Sequence, residues 1–270
     1  MKIFKFFVLA FILLGTQHTL FSQEYFFRSY SIEQGLPQST IFCALEDSRG
    51  EMWIGTEGSG ICRFNGIDVQ VMDRSDGLSG NIVRSVFEDS KGNIWIGTEN
   101  SLNKYDGFTL QSFADTKISE TPVLAINEDK KGNIWIGTES KGLFRIEYAD
   151  SLVIENYTVS EGLANMFIFD IDVDNKDRVW LSLVGGVNIV EYEPDNFHVT
   201  KLIEGYDIPS SIILCGSMDP EGNMWFGTYQ EGVFKVEPGD DLNNVTTTSP
   251  DHLGFFERRT YLGYSLDREQ

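Results

Sequence analysis

The chain has 270 residues, with 41 acidic against 21 basic side chains and a formal charge of −20. That length holds one large β domain or two small ones. A surface so acidic repels phosphate backbones and anionic lipid, which excludes nucleic-acid and membrane-surface binding; its plain role is to keep the domain soluble.

In chain order, residues 1–23 read as a signal peptide. Lys2 and Lys5 make a positive start, residues 6–14 are an apolar run, and Ser22 offers a small residue for cleavage. The run is shorter than the ~20 apolar residues a spanning helix needs. No later stretch is long enough either. The mature chain is expected to be exported to the periplasm, with membrane attachment only through segments downstream of this sequence.

Residues 25–30 alternate and are aromatic, as a strand should be. Gly35-Leu36-Pro37 is a turn. Residues 40–45 are apolar nearly throughout and read as a buried inner strand. Asp47-Ser-Arg-Gly50 is a hairpin, with Asp bonding back to the following backbone and Gly accepting a left-handed conformation. Residues 52–56 form the second strand, 57–60 turn the chain, 61–64 form the third strand, and 68–72 the fourth. Gly77-Leu78 then starts the cycle again. The same order recurs through 82–113. A third cycle runs from 118, where Ile-Ser replaces Gly-Leu. A fourth begins at Gly162-Leu163, with Asp177 in place of the hairpin glycine, and a fifth runs through 212–236.

One phrase organises these cycles. Asp89-Ser-Lys-Gly-Asn-Ile-Trp95-Ile-Gly-Thr98 returns, lightly edited, around Trp53, Trp135, Trp180 and Trp225, at separations of 42, 40, 45 and 45 residues. All five tryptophans of the chain lie in it. A period of about 40–50 residues suits one four-stranded propeller blade. The expected fold is all-β: a β-propeller of four-stranded antiparallel blades. Units lie near 35–73, 77–114, 118–158, 162–202 and 207–247, with a partial sixth at 248–270. Residues 260–270 align with 212–222, so the sequence is expected to be a fragment of a longer protein and its blades an open arc.

Residue chemistry supports structural roles for the repeated letters. An indole at one fixed position fills the gap between stacked sheets, burying about 150–250 Å². The glycine two residues later admits the neighbouring sheet. One Asp per blade cannot converge with others to supply the six to eight oxygens of a calcium site. Cys43 and Cys62, on strands two apart, are about 9–10 Å distant and too far to bridge. Cys43, Cys62 and Cys215 are therefore expected to be free and mostly buried. No metal or cofactor is implied. No nucleophile elbow, phosphate loop or metal-binding His-Glu pair occurs, so no catalytic residue is assigned.

Gly-Leu, the Asp-x-x-Gly-x-x-Trp-Ile-Gly-Thr phrase, and then Gly-Leu-x-Arg/Lys-Phe/Tyr-x-Gly resemble the two-component regulator propeller repeat over residues 24–270. The resemblance implies the periplasmic sensor region of a hybrid histidine kinase. Such regions hold seven-bladed propellers, often dimerise, and respond to oligosaccharides from glycan breakdown. The kinase would lie downstream. Two other readings stay open: a structural or adhesion propeller, and a propeller-fold glycan lyase or glycosidase.

Ligand contacts are expected on the propeller face that carries the loops entering each inner strand and the loops joining second and third strands. These loops vary from unit to unit, and variable loops on a repeated frame carry specificity. They place Glu57, Arg84, Glu99, Asn100, Glu139, Asn165, Tyr229 and Gln230 as candidate ligand-binding residues.

Overall fold

The computed structural model describes residues 29–148, 152–194, 196–202, 208, 212–239 and 246–248. The expected signal peptide, nearly all of the 25–30 strand and the partial sixth unit lie outside these residues. The chain divides after Tyr30, and every blade belongs to the unit that begins at Ser31. Among the described residues no helix is long and apolar enough to cross a membrane.

Five four-stranded sheets succeed one another, each ordered as in the sequence. Blade 1 comprises β1 (Ile41–Glu46), β2 (Met52–Thr56), β3 (Ile61–Phe64) and β4 (Val69–Met72). Blade 2 comprises β5 (Val83–Glu88), β6 (Ile94–Thr98), β7 (Leu102–Tyr105) and β8 (Leu110–Ser112). Blade 3 comprises β9 (Val123–Glu128), β10 (Ile134–Thr138), β11 (Leu143–Tyr148) and β12 (Leu152–Tyr157). Blade 4 comprises β13 (Ile168–Val173), β14 (Val179–Leu183), β15 (Gly186–Glu193) and β16 (Asn196–Leu202). Blade 5 comprises β17 (Ile213–Met218), β18 (Met224–Thr228), β19 (Val233–Glu237) and β20 (Thr246–Thr248). The inner strands β1, β5, β9, β13 and β17 pack side by side in that order. This is the propeller architecture expected from the 40–45-residue period.

The repeated phrase does two jobs through one residue. In the first hairpin, Asp47 Oδ1 accepts the Arg49 and Glu51 N–H groups, each at 2.9 Å, while Oδ2 accepts the Trp53 indole N–H at 3.0 Å. The indole bond recurs at 2.9 Å for Asp89–Trp95, Asp129–Trp135 and Asp174–Trp180, and at 2.8 Å for Asp219–Trp225. The aspartate therefore shapes the turn and also satisfies the polar atom of the buried ring, which a buried Trp must otherwise find elsewhere. At Asp47, burial by itself would raise the carboxyl. The Trp53 indole and the turn N–H groups outweigh it and hold the group below the ordinary range.

Four hydrophobic clusters fill the four junctions. Trp53 packs with Val83, Ile94 and Ile96 of blade 2. Trp95 packs with Val123, Ile134 and Ile136 of blade 3. Trp135 packs with Ile168, Ile171 and Leu181 of blade 4, and Trp180 with Ile213, Met224 and Phe226 of blade 5. These four rings are fully buried and Trp225 is half-buried. The Gly of Trp-Ile-Gly is needed for close approach. A Cβ on Gly97 would lie 2.6 Å from Val123, and one on Gly137 would lie 2.7 Å from Ile168.

Three expectations need correction. Residues 40–45 are not a buried strand: in β1 only Cys43 and Leu45 are partly buried, while Ile41 and Phe42 are 38% exposed. Among the described residues β1 is packed by one neighbouring blade alone, and apolar composition does not bury a strand covered on one side. Cys43, Cys62 and Cys215 are free, but Cys215 is exposed rather than buried. The Gly-Leu opening is more than a turn. Gly35, Gly77 and Gly162 each end a short 3-10 turn whose first cap, Ser31, Asp73 or Thr158, forms a capping box. Asp177, in place of the hairpin glycine, does adopt the left-handed region, at φ 66°.

Candidate functional site

Each inner strand opens with a β-bulge. Register with the second strand shifts between Ile41 and Cys43, Val83 and Ser85, Val123 and Ala125, Ile168 and Asp170, and Ile213 and Cys215. The residue before the bulge faces the preceding blade: Val83 lies against Gly55, Val123 against Gly97, and Ile168 against Gly137. The residue after it faces the following blade: Ser85 Oγ donates to Val123 O at 3.1 Å, and Asp170 Oδ2 accepts the Gly216 N–H at 2.9 Å. The extra residue belongs to neither face. Bulges re-aim side chains in this way, and here the extra residues, one per blade on inner strands that lie side by side, are Phe42, Arg84, Leu124, Phe169 and Leu214.

These five residues, four apolar and one cationic, hold equivalent places on neighbouring inner strands, a row we call the collar. Phe42, Arg84 and Leu214 are exposed, and Leu124 and Phe169 are half-buried. The Arg84 guanidinium lies over the Phe42 ring at 4.2 Å from its centroid, which joins blades 1 and 2 across the inner strands. Phe169 packs on Phe167 at 4.5 Å. Behind the collar, burial pushes the Cys43 thiol up to about 12, only partly offset by the Gly55 N–H, so it is an unreactive thiol.

A second ring sits beside the collar. The residue after the second strand donates its N–H to the carbonyl just ahead of the inner strand in every blade. The pairs are Glu57 to Thr40, Glu99 to Ile82, Glu139 to Pro122, Val184 to Phe167 and Tyr229 to Ile212, at 2.9–3.3 Å. The backbone of this rim is fixed while its side chains change from blade to blade.

The eight candidate residues divide on this frame. Glu57, Glu139, Tyr229 and Gln230 project from the rim into solvent, Tyr229 with 62% of its surface exposed. Arg84 lies not on a loop but on β5, in the collar. Glu99 turns back on its own blade, accepting the Asn81 and Ile82 N–H groups at 3.2 and 2.9 Å. Asn100 Nδ2 donates to Ser79 O at 3.3 Å, and Asn165 Oδ1 accepts the Phe167 N–H at 3.0 Å. These last three hold the loops in shape. Sequence reasoning missed Phe42, Leu124, Phe169 and Leu214. They share one column of the aligned repeats, immediately after the Ile or Val that opens each inner strand. Strict alternation hides that column, because it assigns the bulged residue to an inter-blade face. Together, collar and rim offer stacking surfaces, a guanidinium, amides and carboxylates, which is the chemistry of binding a ligand that has both apolar faces and hydrogen-bonding groups.

At the opposite rim, a cleft of about 430 Å³ lies between Lys91, Lys131, Asn133, Arg145, Tyr192 and Glu193. Two of its cations, Arg145 and Lys131, already have partners. Arg145 bonds Glu155, Glu147 and Asn133 and stacks on Tyr192 at 4.1 Å, and Lys131 pairs with Glu193 at 3.2 Å. This cleft is a clasp between blades 3 and 4.

Comparison with known proteins places the chain. The two component regulator propeller repeat matches residues 35–58, 77–100 and 117–140. No curated protein sequence matches. Among solved structures, the chain is similar to the extracellular domain of BT3049 from B. thetaiotaomicron, described as a putative hybrid two component system. The identity is 30%, the TM-score 0.66, and the match covers 80% of this chain and 29% of that one. It is similar to the extracellular domain of BT4673 from the same organism at 27% identity and TM-score 0.63, covering 78% of this chain and 31% of that one. It also resembles virginiamycin B lyase from Staphylococcus aureus at 14% identity and TM-score 0.62, over 80% of this chain and 71% of that one, a likeness of fold alone. The chain spans about a third of the length of the two extracellular domains. It is a β-propeller in which residues 35–58, 77–100 and 117–140 are two-component regulator propeller repeats.

Proposed function

We propose that this chain is the ligand-sensing propeller of a hybrid two-component receptor, working in the periplasm, and that it binds oligosaccharides released by glycan breakdown without transforming them. The observation that carries this reading is the collar. Five bulges set Phe42, Arg84, Leu124, Phe169 and Leu214 at equivalent places on neighbouring inner strands, next to a rim whose backbone is constant and whose side chains vary. Sugar rings present apolar C–H faces and hydroxyl edges, which match aromatic and aliphatic side chains flanked by Glu57, Glu139, Tyr229 and Gln230. Signal output would belong to other segments of such a receptor.

The test is a panel of neutral and acidic oligosaccharides screened by thermal shift against the full chain, followed by calorimetry with Phe42→Ala and Arg84→Gln. A sugar that raises the melting temperature should bind at least tenfold more weakly to both variants, the loss expected when one well-packed contact is removed. A panel without a single hit, or hits indifferent to both substitutions, would defeat the reading.

A second reading, contact with protein, rests on a different observation. Ile67 and Phe108 are 87% and 93% exposed at the outer turns of adjacent blades 1 and 2. Two apolar tips side by side suit a homodimer or a protein partner. Sedimentation of Phe108→Ser against the unaltered chain decides it: an unchanged monomer in both removes self-association.

A further inference from the structure

The four junctions between inner strands are built alike except for the last. On the side facing the next blade, β1 presents Cys43 and Leu45, β5 presents Ser85 and Phe87, and β9 presents Ala125 and Asn127. The opposing residue of the following blade is Val86, Ile126 and Ile171 in turn, packed in the junction clusters. At the fourth junction β13 presents Asp170 and Asp172, and the opposing residue on β17 is Gly216. Two carboxyls on one face of a strand have replaced a neutral pair, and a glycine has replaced the apolar side chain opposite.

The replacement is mutual. A Cβ on Gly216 would overlap the Asp172 carboxylate and approach Phe226 Cε1 at 3.0 Å, so only glycine leaves room for the acid. Asp170 is the tie between the blades. Its Oδ2 accepts the Gly216 N–H at 2.9 Å and its Oδ1 accepts the Ile171 N–H at 2.9 Å. Asp172 lies between Asp170, its cross-strand partner Trp180, and Phe226. Two ionised carboxylates here repel each other in a poorly hydrated space, which disfavours the charged form of one of them.

Among the described residues, little else nearby can compensate. On the same side of β13 and β14 the charged groups are Asp174 and Arg178, bonded to each other at 2.6 Å. From β9, Asn127 Nδ2 donates to Ile171 O at 2.8 Å on the other side of β13, and Glu128 is held by Ser90. β10 and β18 carry no charged residue. From β17, Cys215 and Ser217 point toward the side away from β13.

We infer that the junction of blades 4 and 5 is an acid-set latch, closed while Asp172 holds a proton and loosened when it ionises. Burial, and next the charge of Asp170, raise the Asp172 carboxyl to about 7, and Asp170 is raised as well by burial. Linkage fixes the sign. A carboxyl whose folded value is raised binds its proton more tightly folded than unfolded, so its junction gains stability as pH falls from about 7 toward the unfolded value of 3.8. It loses that stability as pH rises to 7. In an exported chain this joins the docking of blade 5, and the position of Phe169 and Leu214 in the collar, to the acidity of the medium. It requires no particular ligand.

The experiment is denaturant unfolding of the full chain from pH 5.5 to 8, with amide protection of β17 followed by hydrogen exchange, for the unaltered protein and for Asp172→Asn. The unaltered chain should lose more than tenfold in folding constant over that range, the expectation for one proton with this shift. Its β17 protection should fall in parallel. Asp172→Asn should flatten both curves and leave the protein more stable at pH 8. Parallel pH profiles in the two proteins would overturn the latch. A carboxyl carbon titration of Asp172 by NMR in the unaltered chain is an independent check that no misfolded variant can obscure. A midpoint near 4 would overturn the proposal, and one between 6 and 8 would uphold it.

Discussion

The two rims of this propeller solve opposite problems with the same backbone. At the hairpin rim, five aspartates bond five indoles at 2.8–3.0 Å, and almost nothing varies. At the loop rim, five equivalent N–H groups bond five equivalent carbonyls, yet the side chains there are Glu57, Glu99, Glu139, Val184 and Tyr229. Constancy in the first rim keeps each ring seated in the next blade. Constancy of backbone alone in the second frees its side chains to differ. The lesson is that repetition marks what holds blades together, and the recognition surface has to be sought where repetition fails or where, as at the bulges, it changes direction.

The comparison breaks most easily at the hairpin rim. Trp135→Ala empties the centre of the junction between blades 3 and 4, where the ring meets Tyr157 and Tyr192 at centroid distances of 6.1 and 5.9 Å. Loss of about 3–5 kcal/mol is expected, the usual cost of emptying a core aromatic site. Urea denaturation measures it. A loss below about 1 kcal/mol, far under that range, would mean that the indoles are not the fasteners of the arc.

Next in size is Asp47→Asn. The amide can accept from the turn or from the indole, but its NH2 must then face the other donor, leaving one buried N–H without a partner. About 1–3 kcal/mol is expected. The pH response is opposite in sign to that of Asp172. Asp47 is held below its ordinary value, so its stabilisation is complete above about 3.8 and disappears as pH falls below it. The unaltered chain should weaken in acid through this clamp, and Asp47→Asn should weaken less steeply between about pH 4 and 2. An identical acid limb in both proteins would show that the Asp47 carboxylate does not govern acid unfolding.

How much of this could be read from the letters depends on whether one residue had one job. Trp-Ile-Gly-Thr was legible because a large ring beside a residue without a side chain has a single use in stacked sheets. The aspartate of the same phrase was legible as a turn former and not as the acceptor for the indole six residues on, since the turn alone accounts for its presence. Arg84 was found, but as a loop residue. Its neighbours in the collar were not found, because one inserted residue reverses the alternation on which strand faces are assigned. Asp170 and Asp172 carried no signal among so many acids; their meaning comes from Gly216, which the fold brings opposite them. Glu57, Glu99 and Glu139 look equivalent in sequence, and only the hydrogen bonds separate Glu99 from the other two.

That separation gives the smallest and most selective test. Glu99 closes the entry to β5 by accepting two backbone N–H groups, and a Cβ on Gly80 would collide with its carboxylate, so the loop is folded around it. Glu139 occupies the corresponding place in blade 3 and points into solvent. Glu99→Ala should cost about 1–2 kcal/mol through the two N–H groups it leaves without an acceptor. Glu139→Ala should stay within about 0.5 kcal/mol, as exposed substitutions do. In ligand binding the order should reverse, with Glu139→Ala the more damaging per unit of stability lost. Equal stability losses in the two variants would mean that the rim is one structural ring, and the division between a fixed backbone and free side chains would fail at the place where it is easiest to see.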